Sequence, residues 1–238
     1  MPVLPMMIFK AILDFFFPRY CLMCGTWLRL EEDRICLHCN MDLPRTMLWK
    51  NPEDNNLARR FWGRVRVEKA ASYLYFYPHS QTANIVYAFK YHNEPYTAVY
   101  AGEMMAKEIS RSDFFAGIDC LVPVPITSKR RNKRGYNQSE ELARGISKVL
   151  HIPVIKNAVR RKKDSISQTR LETYDRIDNI EQAFELTRHA DKLAGKHCLV
   201  IDDVITTGAT TVGCAREIEK VPGARISILS FACIKDKK

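Results

Sequence analysis

From about residue 69 onward, short apolar runs alternate with stretches whose apolar residues recur at helical spacing, and few folds accommodate that alternation. ASYLYFY takes on strand-like composition, SQTANIVYAFKY starts a helix near Ser80, and YTAVYAGEMMAKEISR continues in helical register. DCLVPVP then reads as a strand, SEELARGISKVL as a helix and IPVIKNAVRR as a second strand. After a charge-rich loop come a short strand around AFELT, the strand KHCLVIDDVI, the helix ATTVGCAREIEKV and a last strand, ARISILSFACI. The expected fold class is α/β, a mostly parallel sheet whose ligands sit at the carboxyl ends of its strands.

One strand end is chemically unusual. In CLVIDDVITTGATTVG an apolar strand runs into two carboxylates, Asp202 and Asp203, and then into Thr206, Thr207, Gly208, Ala209 and Thr210 at the start of a helix. Backbone N–H groups at a helix start, with hydroxyls beside them, suit a phosphate, and Gly208 permits close approach. The carboxylates would repel that phosphate, so they suit sugar hydroxyls or a hydrated Mg²⁺ beside it. Together these groups describe a phosphorylated ribose. The run is not a P-loop, because no Gly-Lys-Ser/Thr follows.

The N-terminal part carries different chemistry. Cys21 and Cys24 form one CxxC, Cys36 and Cys39 a second, at the separation of a four-thiolate zinc site. A disulfide or redox pair is the rival reading, and His38, inside the second hook, could replace a cysteine. Cys120, Cys198, Cys214 and Cys233 lie in apolar segments and read as small core residues. The opening MPVLPMMIFKAILDFFFP is interrupted by Lys10 and Asp14, stopped by Pro18, lacks a cleavage site and is too short and charged to span a bilayer. We expect a short helix packing its Ile and Phe residues on the body, with peripheral contact at the inner membrane as the alternative, and a cytoplasmic location. The expected organisation is an N-terminal helix and four-cysteine module over 1–50, a linker over 51–68 and the α/β domain over 69–238. A net charge of +10 favours a polyanionic ligand.

IDDVITTGAT resembles the phosphoribosyl pyrophosphate (PRPP) loop of type I phosphoribosyltransferases. VPVPITSKRRNKRGYNQSEELA, FKYHNE, SQTRLETYDRIDNIEQAF and the four-cysteine module are in turn similar to the bacterial ComF family, also called the ComFC or GntX-like amidophosphoribosyltransferase group. The resemblance implies a PRPP-binding domain joined to a zinc finger, acting in natural competence, the uptake and handling of single-stranded DNA.

It further implies a PRPP site at Asp202, Asp203 and Thr206 to Thr210, with Arg130, Arg134, Lys162 and Lys163 beside the carboxylates as catalytic groups. Around the pyrophosphate it implies Lys90, Tyr91, Lys129, Gly135, Asn137, Gln138, Gln168, Thr169, Arg176 and Asn179. Arg131 and Lys133 belong to the same basic loop, where guanidinium groups clamp phosphate. Structural Zn²⁺ and Mg²⁺ bound with PRPP are the implied cofactors, and a competence helicase or DNA-uptake machinery is an implied partner. The implied reaction is displacement at the ribose anomeric carbon. The sequence names neither an acceptor nor a general base. A second reading therefore stays open: a non-catalytic PRPP sensor, or a single-stranded-DNA-binding factor that uses its basic runs and the aromatics Trp27, Trp49, Phe61 and Trp62.

Overall fold

A computed structural model of the protein describes residues 14–91, 94–162 and 182–235, leaving aside the side chain of Tyr91. Its centre is a four-stranded sheet in the order β1-β6-β5-β2, formed by β1 (Lys69–Tyr75), β2 (Cys120–Pro123), β5 (His197–Ile205) and β6 (Arg225–Cys233). Every pairing in it is parallel, with Cys120 opposite Cys198 and His197 opposite Arg225. The strands read as near-continuous apolar runs because both faces are covered. Along β5, Leu199 and Ile201 enter one core cluster while Cys198 and Val200 enter the other.

The helices are α1 (Leu37–Met41), α2 (Asn56–Arg59), α3 (Ala83–Tyr91), α4 (Pro95–Ile109), α5 (Ser128–Arg134), α6 (Gln138–Leu150) and α7 (Ala209–Glu219). On one face α4 and α6 contribute Met105, Ala106, Leu142 and Ile146 to a core that also holds Phe89 of α3 and the zinc-module residues Cys21, Met23 and Leu28. On the other face Val212, Ala215 and Ile218 of α7 pack with Leu57, Ala58 and Phe61. No helix among the described residues is long and apolar enough to cross a membrane.

Three local expectations differ from the structure. IPVIKNAVRR is not one strand: Val154 makes a single parallel bridge to Leu121, Asn157 turns the chain with φ 62°, and a separate β3 (Val159–Arg161) pairs antiparallel with β4 (Phe184–Leu186). Residues 51–68, expected as a linker or irregular bridge, carry a short helix and pack on the body. Asn55 caps α2 by accepting from the N–H groups of Leu57 and Ala58, and Leu57, Ala58, Phe61 and Val65 are buried against the sheet. Their spacing is helical, but the flanking Pro, Asn and charges obscured it. Most of the opening segment lies outside the described residues, and the described Phe15, Phe16 and Phe17 are exposed rather than packed on the body.

Helices α4 and α6 meet at two glycines. A Cβ on Gly102 would lie 2.2 Å from the Leu142 carbonyl oxygen, and one on Gly145 would lie 2.1 Å from that of Val99. Only hydrogen fits at either position, and the two helices approach closely there. Gly145→Ala should therefore lower unfolding stability by about 1–3 kcal/mol, the usual cost of overpacking, as read from the urea midpoint. An unchanged midpoint would mean that the helices can separate freely.

Candidate functional site

A cavity of about 170 Å³ lies at the carboxyl ends of the neighbouring strands β2 and β5. Asp202, Asp203 and Thr210 line it from the β5–α7 turn, Arg130 and Arg134 from α5, Arg161 from β3 and Lys90 from α3. The two carboxylates have different surroundings. Asp202 is buried, accepts from the Thr211 hydroxyl at 2.7 Å and from the Asp203 N–H at 2.9 Å, and so ties the strand end to the first turn of α7. Burial, reinforced by the neighbouring Asp203 charge, pushes its carboxyl up to about 6. Asp203 faces Lys90, whose Nζ is 3.2 Å from Oδ2. The Phe89 carbonyl, one residue before Lys90, accepts from the Tyr136 hydroxyl at 2.5 Å. Burial holds that phenol protonated, with its pKa pushed up to about 12.

The following loop is braced from behind by residues that sequence reasoning did not single out. Gly208 has φ 79°, the left-handed region that glycine enters without strain, and a Cβ there would meet the Phe61 ring at 3.3 Å. Arg60 donates to the Thr206 carbonyl at 2.8 Å and Arg64 to that of Thr207 at 3.0 Å. Thr206 and Thr207 are exposed, whereas Gly208 and Ala209 are buried. Gly208 has no side chain with which to cap α7; the Thr207 hydroxyl accepts from the Ala209 N–H at 3.4 Å, and the N–H groups that follow lie beside the Thr210 hydroxyl.

In the basic loop, Thr127 caps α5 and Gly135 ends it at φ 76°. Asn137 caps α6 and donates to the Val124 carbonyl at 3.0 Å, while the Gln138 Oε1 accepts from Arg134 at 3.0 Å. Asn137 and Gln138 are thus buried fasteners that fix the loop and aim Arg134. Lys129 is exposed and does not line the cavity. Lys162 is exposed at the end of β3 and donates to the Gln182 carbonyl at 3.3 Å. Lys163, Gln168, Thr169, Arg176, Asn179 and the side chain of Tyr91 lie outside the described residues. Thr211 was missed because nothing in sequence separates it from its helical neighbours. Arg161 was missed within the run RRKK, although its guanidinium lies 5.3 Å from the centre of the Phe184 ring.

The second cluster brings the Sγ atoms of Cys21, Cys24, Cys36 and Cys39 within 4.8 Å of one another. A tetrahedral ion about 2.3 Å from each sulfur needs them about 3.8 Å apart, the distance between Cys24 and Cys36. The N–H groups of Cys36 and Cys39 point to the sulfurs of Cys21 and Cys36 at 3.3 and 3.4 Å. Hydrogen bonds with Thr26 bring the Cys24 thiol down to about 6. Four convergent sulfurs supported by backbone donors are compatible with zinc. His38 points away, exposed and 3.4 Å from Asp42. Among the expected stacking aromatics, Trp27 and Trp62 are exposed, but Trp49 and Phe61 are buried core residues and cannot stack on a base.

The module docks on the helices that serve the cavity. Asn84 of α3 donates to the Met23 carbonyl at 3.4 Å, and Arg34 pairs with Glu94 at 3.2 Å.

Two predictions follow from these geometries. Asp202 ionises with difficulty in the folded protein, so its contribution to stability is full below about pH 4 and is lost as pH rises through about 6. Asp202→Asn keeps an oxygen for Thr211 without ionising. Relative to the parent it should gain up to about 3 kcal/mol between pH 4 and pH 7.5 in urea denaturation; a relative loss over that interval would contradict the assignment. Separately, Cys36→Ser should lower bound zinc by elemental analysis and loosen residues 21–39 to proteolysis, whereas full zinc retention would rule out the four-sulfur site.

Comparison with known proteins bears on the same region. Residues 100–238, more than half of the chain, match the family model described as the phosphoribosyl transferase domain. Competence protein F of Haemophilus influenzae is 32% identical over 114 residues, 48% of this chain and 50% of that protein. The DNA utilization protein YhgH of Escherichia coli is 32% identical over 110 residues, 46% and 47% of the two chains. Competence protein ComFC of Bacillus subtilis is 31% identical over 116 residues, 48% and 44%. The chain spans about half the length of the curated relatives it matches. Three of the four parallel strands, the acidic strand end and the glycine-turned helix start thus lie within the matched stretch, and the chain belongs to the phosphoribosyltransferase domain family.

Proposed function

We propose that the chain binds PRPP together with Mg²⁺ and transfers its phosphoribosyl group to an acceptor, in the service of single-stranded DNA handling during natural transformation. One observation carries the reading: a carboxylate pair at the end of β5 shares a cavity with Arg130, Arg134 and Lys90, beside the start of α7. Phosphate on the helix N–H groups, ribose hydroxyls on Asp203 and diphosphate on the guanidinium groups account for each of these groups. The competence and DNA-utilization relatives support the cellular role. A cytoplasmic location belongs to the same reading, and the exposed Phe15, Phe16 and Phe17 support peripheral contact with the inner membrane.

In the proposed transfer the bond between the anomeric carbon and the diphosphate oxygen breaks, and diphosphate leaves with the bonding pair. The acceptor's lone pair forms the new bond, and its proton passes to solvent. Arg130 and Arg134 would hold the departing diphosphate, while Asp203 would steady the hydroxyls of a ring gaining positive charge. Lys90, paired with Asp203 in this structure, would exchange that carboxylate for the diphosphate. Asp203, only partly covered and lining the cavity, fits a hydrated Mg²⁺ held chiefly by the ligand's own oxygens. Such an ion would supply neutralisation of the leaving-group charge.

A second reading, PRPP sensing or single-stranded DNA binding without turnover, is favoured by the exposed Trp27 and by Trp62, over which Arg59 lies 5.7 Å from the ring centre. Calorimetric titration with PRPP and Mg²⁺ tests the first reading. The protein should bind, release diphosphate when acceptor is present, and lose binding at least tenfold on combined Asp202→Asn and Asp203→Asn substitution. Unchanged affinity in that variant would remove the ribose assignment, and binding that never yields diphosphate would favour the sensor.

A further inference from the structure

A second, larger cavity of about 410 Å³ adjoins the first. The two share Pro125, Ile126 and Arg161 as a common wall, while Lys90, Asp202, Asp203 and Thr210 line only the smaller one. On the far side of that wall the larger cavity is closed by α5, the start of α6, the Asn157 turn and the β3–β4 ribbon. A volume of this size holds a small-molecule ligand of nucleotide dimensions.

The lining has two chemical halves. Four cations converge on it: Arg131 from α5, and Arg160, Arg161 and Lys162 from the end of β3. The described lining answers them with two carboxylates, and each is already committed to a guanidinium. Glu140 holds both terminal nitrogens of Arg131 at 3.4 Å, and Glu185 holds the Nε of Arg160 at 2.7 Å. A guanidinium has five N–H donors in a fixed fork, and a single carboxylate occupies at most two of them. The carboxylates therefore orient the forks of Arg131 and Arg160, and each fork keeps N–H donors that its carboxylate does not occupy. The other half is apolar, formed by the half-buried Pro125 and Ile126 with the buried Pro123 and Val159 behind them, a surface against which a flat ring can lie. A sugar phosphate or free polyphosphate would leave that surface wet, and a bare heterocycle would leave those donors unused.

We propose that this cavity is a nucleotide site, binding the flat ring of a nucleoside 5′-phosphate on the proline wall and its phosphate on Arg131 and Arg160. Resting on the PRPP reading above, the nucleotide is the acceptor, either free or as the 5′ end of a strand. Ligands held one in each cavity meet across Pro125, Ile126 and Arg161, the side from which an acceptor would approach a phosphoribosyl group.

The test titrates the full-length zinc-loaded protein with adenosine 5′-monophosphate, adenosine, and an eight-residue oligothymidylate carrying a 5′-phosphate or a 5′-hydroxyl. PRPP affinity is measured separately. At least one phosphorylated probe should bind five-fold or more tightly than its unphosphorylated counterpart. Arg160→Ala should remove that advantage and Arg160→Lys retain part of it, with PRPP affinity unchanged within twofold in both. Preference for the mononucleotide identifies a free acceptor, and preference for the phosphorylated strand identifies a strand end; either supports the site. No phosphate-dependent binding, or binding indifferent to Arg160→Ala, would overturn it. Because the nucleotide titration needs no PRPP, a protein that binds nucleotide but not PRPP would keep the site and overturn both the PRPP reading and the acceptor role.

Discussion

The hydrogen bond from the Thr211 hydroxyl to the buried Asp202 carboxylate joins the last sheet residues of β5 to the first turn of α7. Much of the candidate site depends on that tie. With Asp202 held inward, Asp203 is the carboxylate that faces Lys90, and the loop between them must turn within a few residues. Gly208 makes the turn at φ 79°, and the helix start follows at once. The arrangement is costly in isolation, because a carboxylate with raised pKa destabilises the folded state at neutral pH. Such a cost at a strand end is characteristic of a group retained for its chemistry.

Much of this was legible in the chain, because local rules and global fold agree there. The apolar runs of β5 and β6, the acidic pair, the Gly208 turn and the two CxxC hooks each carry a short-range signature whose meaning does not depend on distant residues. Apart from Thr211 and the short helix α2, the missed features are long-range. Arg60 and Arg64 lie more than 140 residues from the loop carbonyls they hold, and Phe61 meets Gly208 only because α2 folds beneath the sheet. The pairing of Gly102 with Gly145 likewise exists only once α4 and α6 cross. A glycine in a helical pattern reads as a local weakness, whereas here it is a contact.

The misread aromatics make the same point. Trp49 and Phe61 have the composition of a stacking platform, yet Trp49 stacks on Tyr73 and Phe61 lies wholly buried. Composition cannot distinguish an aromatic that awaits a ligand from one that fills a core. The zinc module is similarly bound into the body: Cys21, Met23 and Leu28 belong to the same apolar cluster as Phe89, next to the residue that reaches Asp203. The four-cysteine cluster and the carboxylate pair therefore sit at two ends of one continuous packing path through α3.

The brace under the loop also separates the family's homology unit from this protein's folding unit. The matched stretch runs from residue 100 to 238. It excludes Arg60, Phe61 and Arg64, and it excludes β1, which pairs with β6 along nearly its whole length. A fragment cut at the homology boundary would bare one edge of the sheet to aggregation and leave the glycine turn without its aromatic floor. Within this architecture, then, the part that resembles its relatives depends for its shape on a part outside the match.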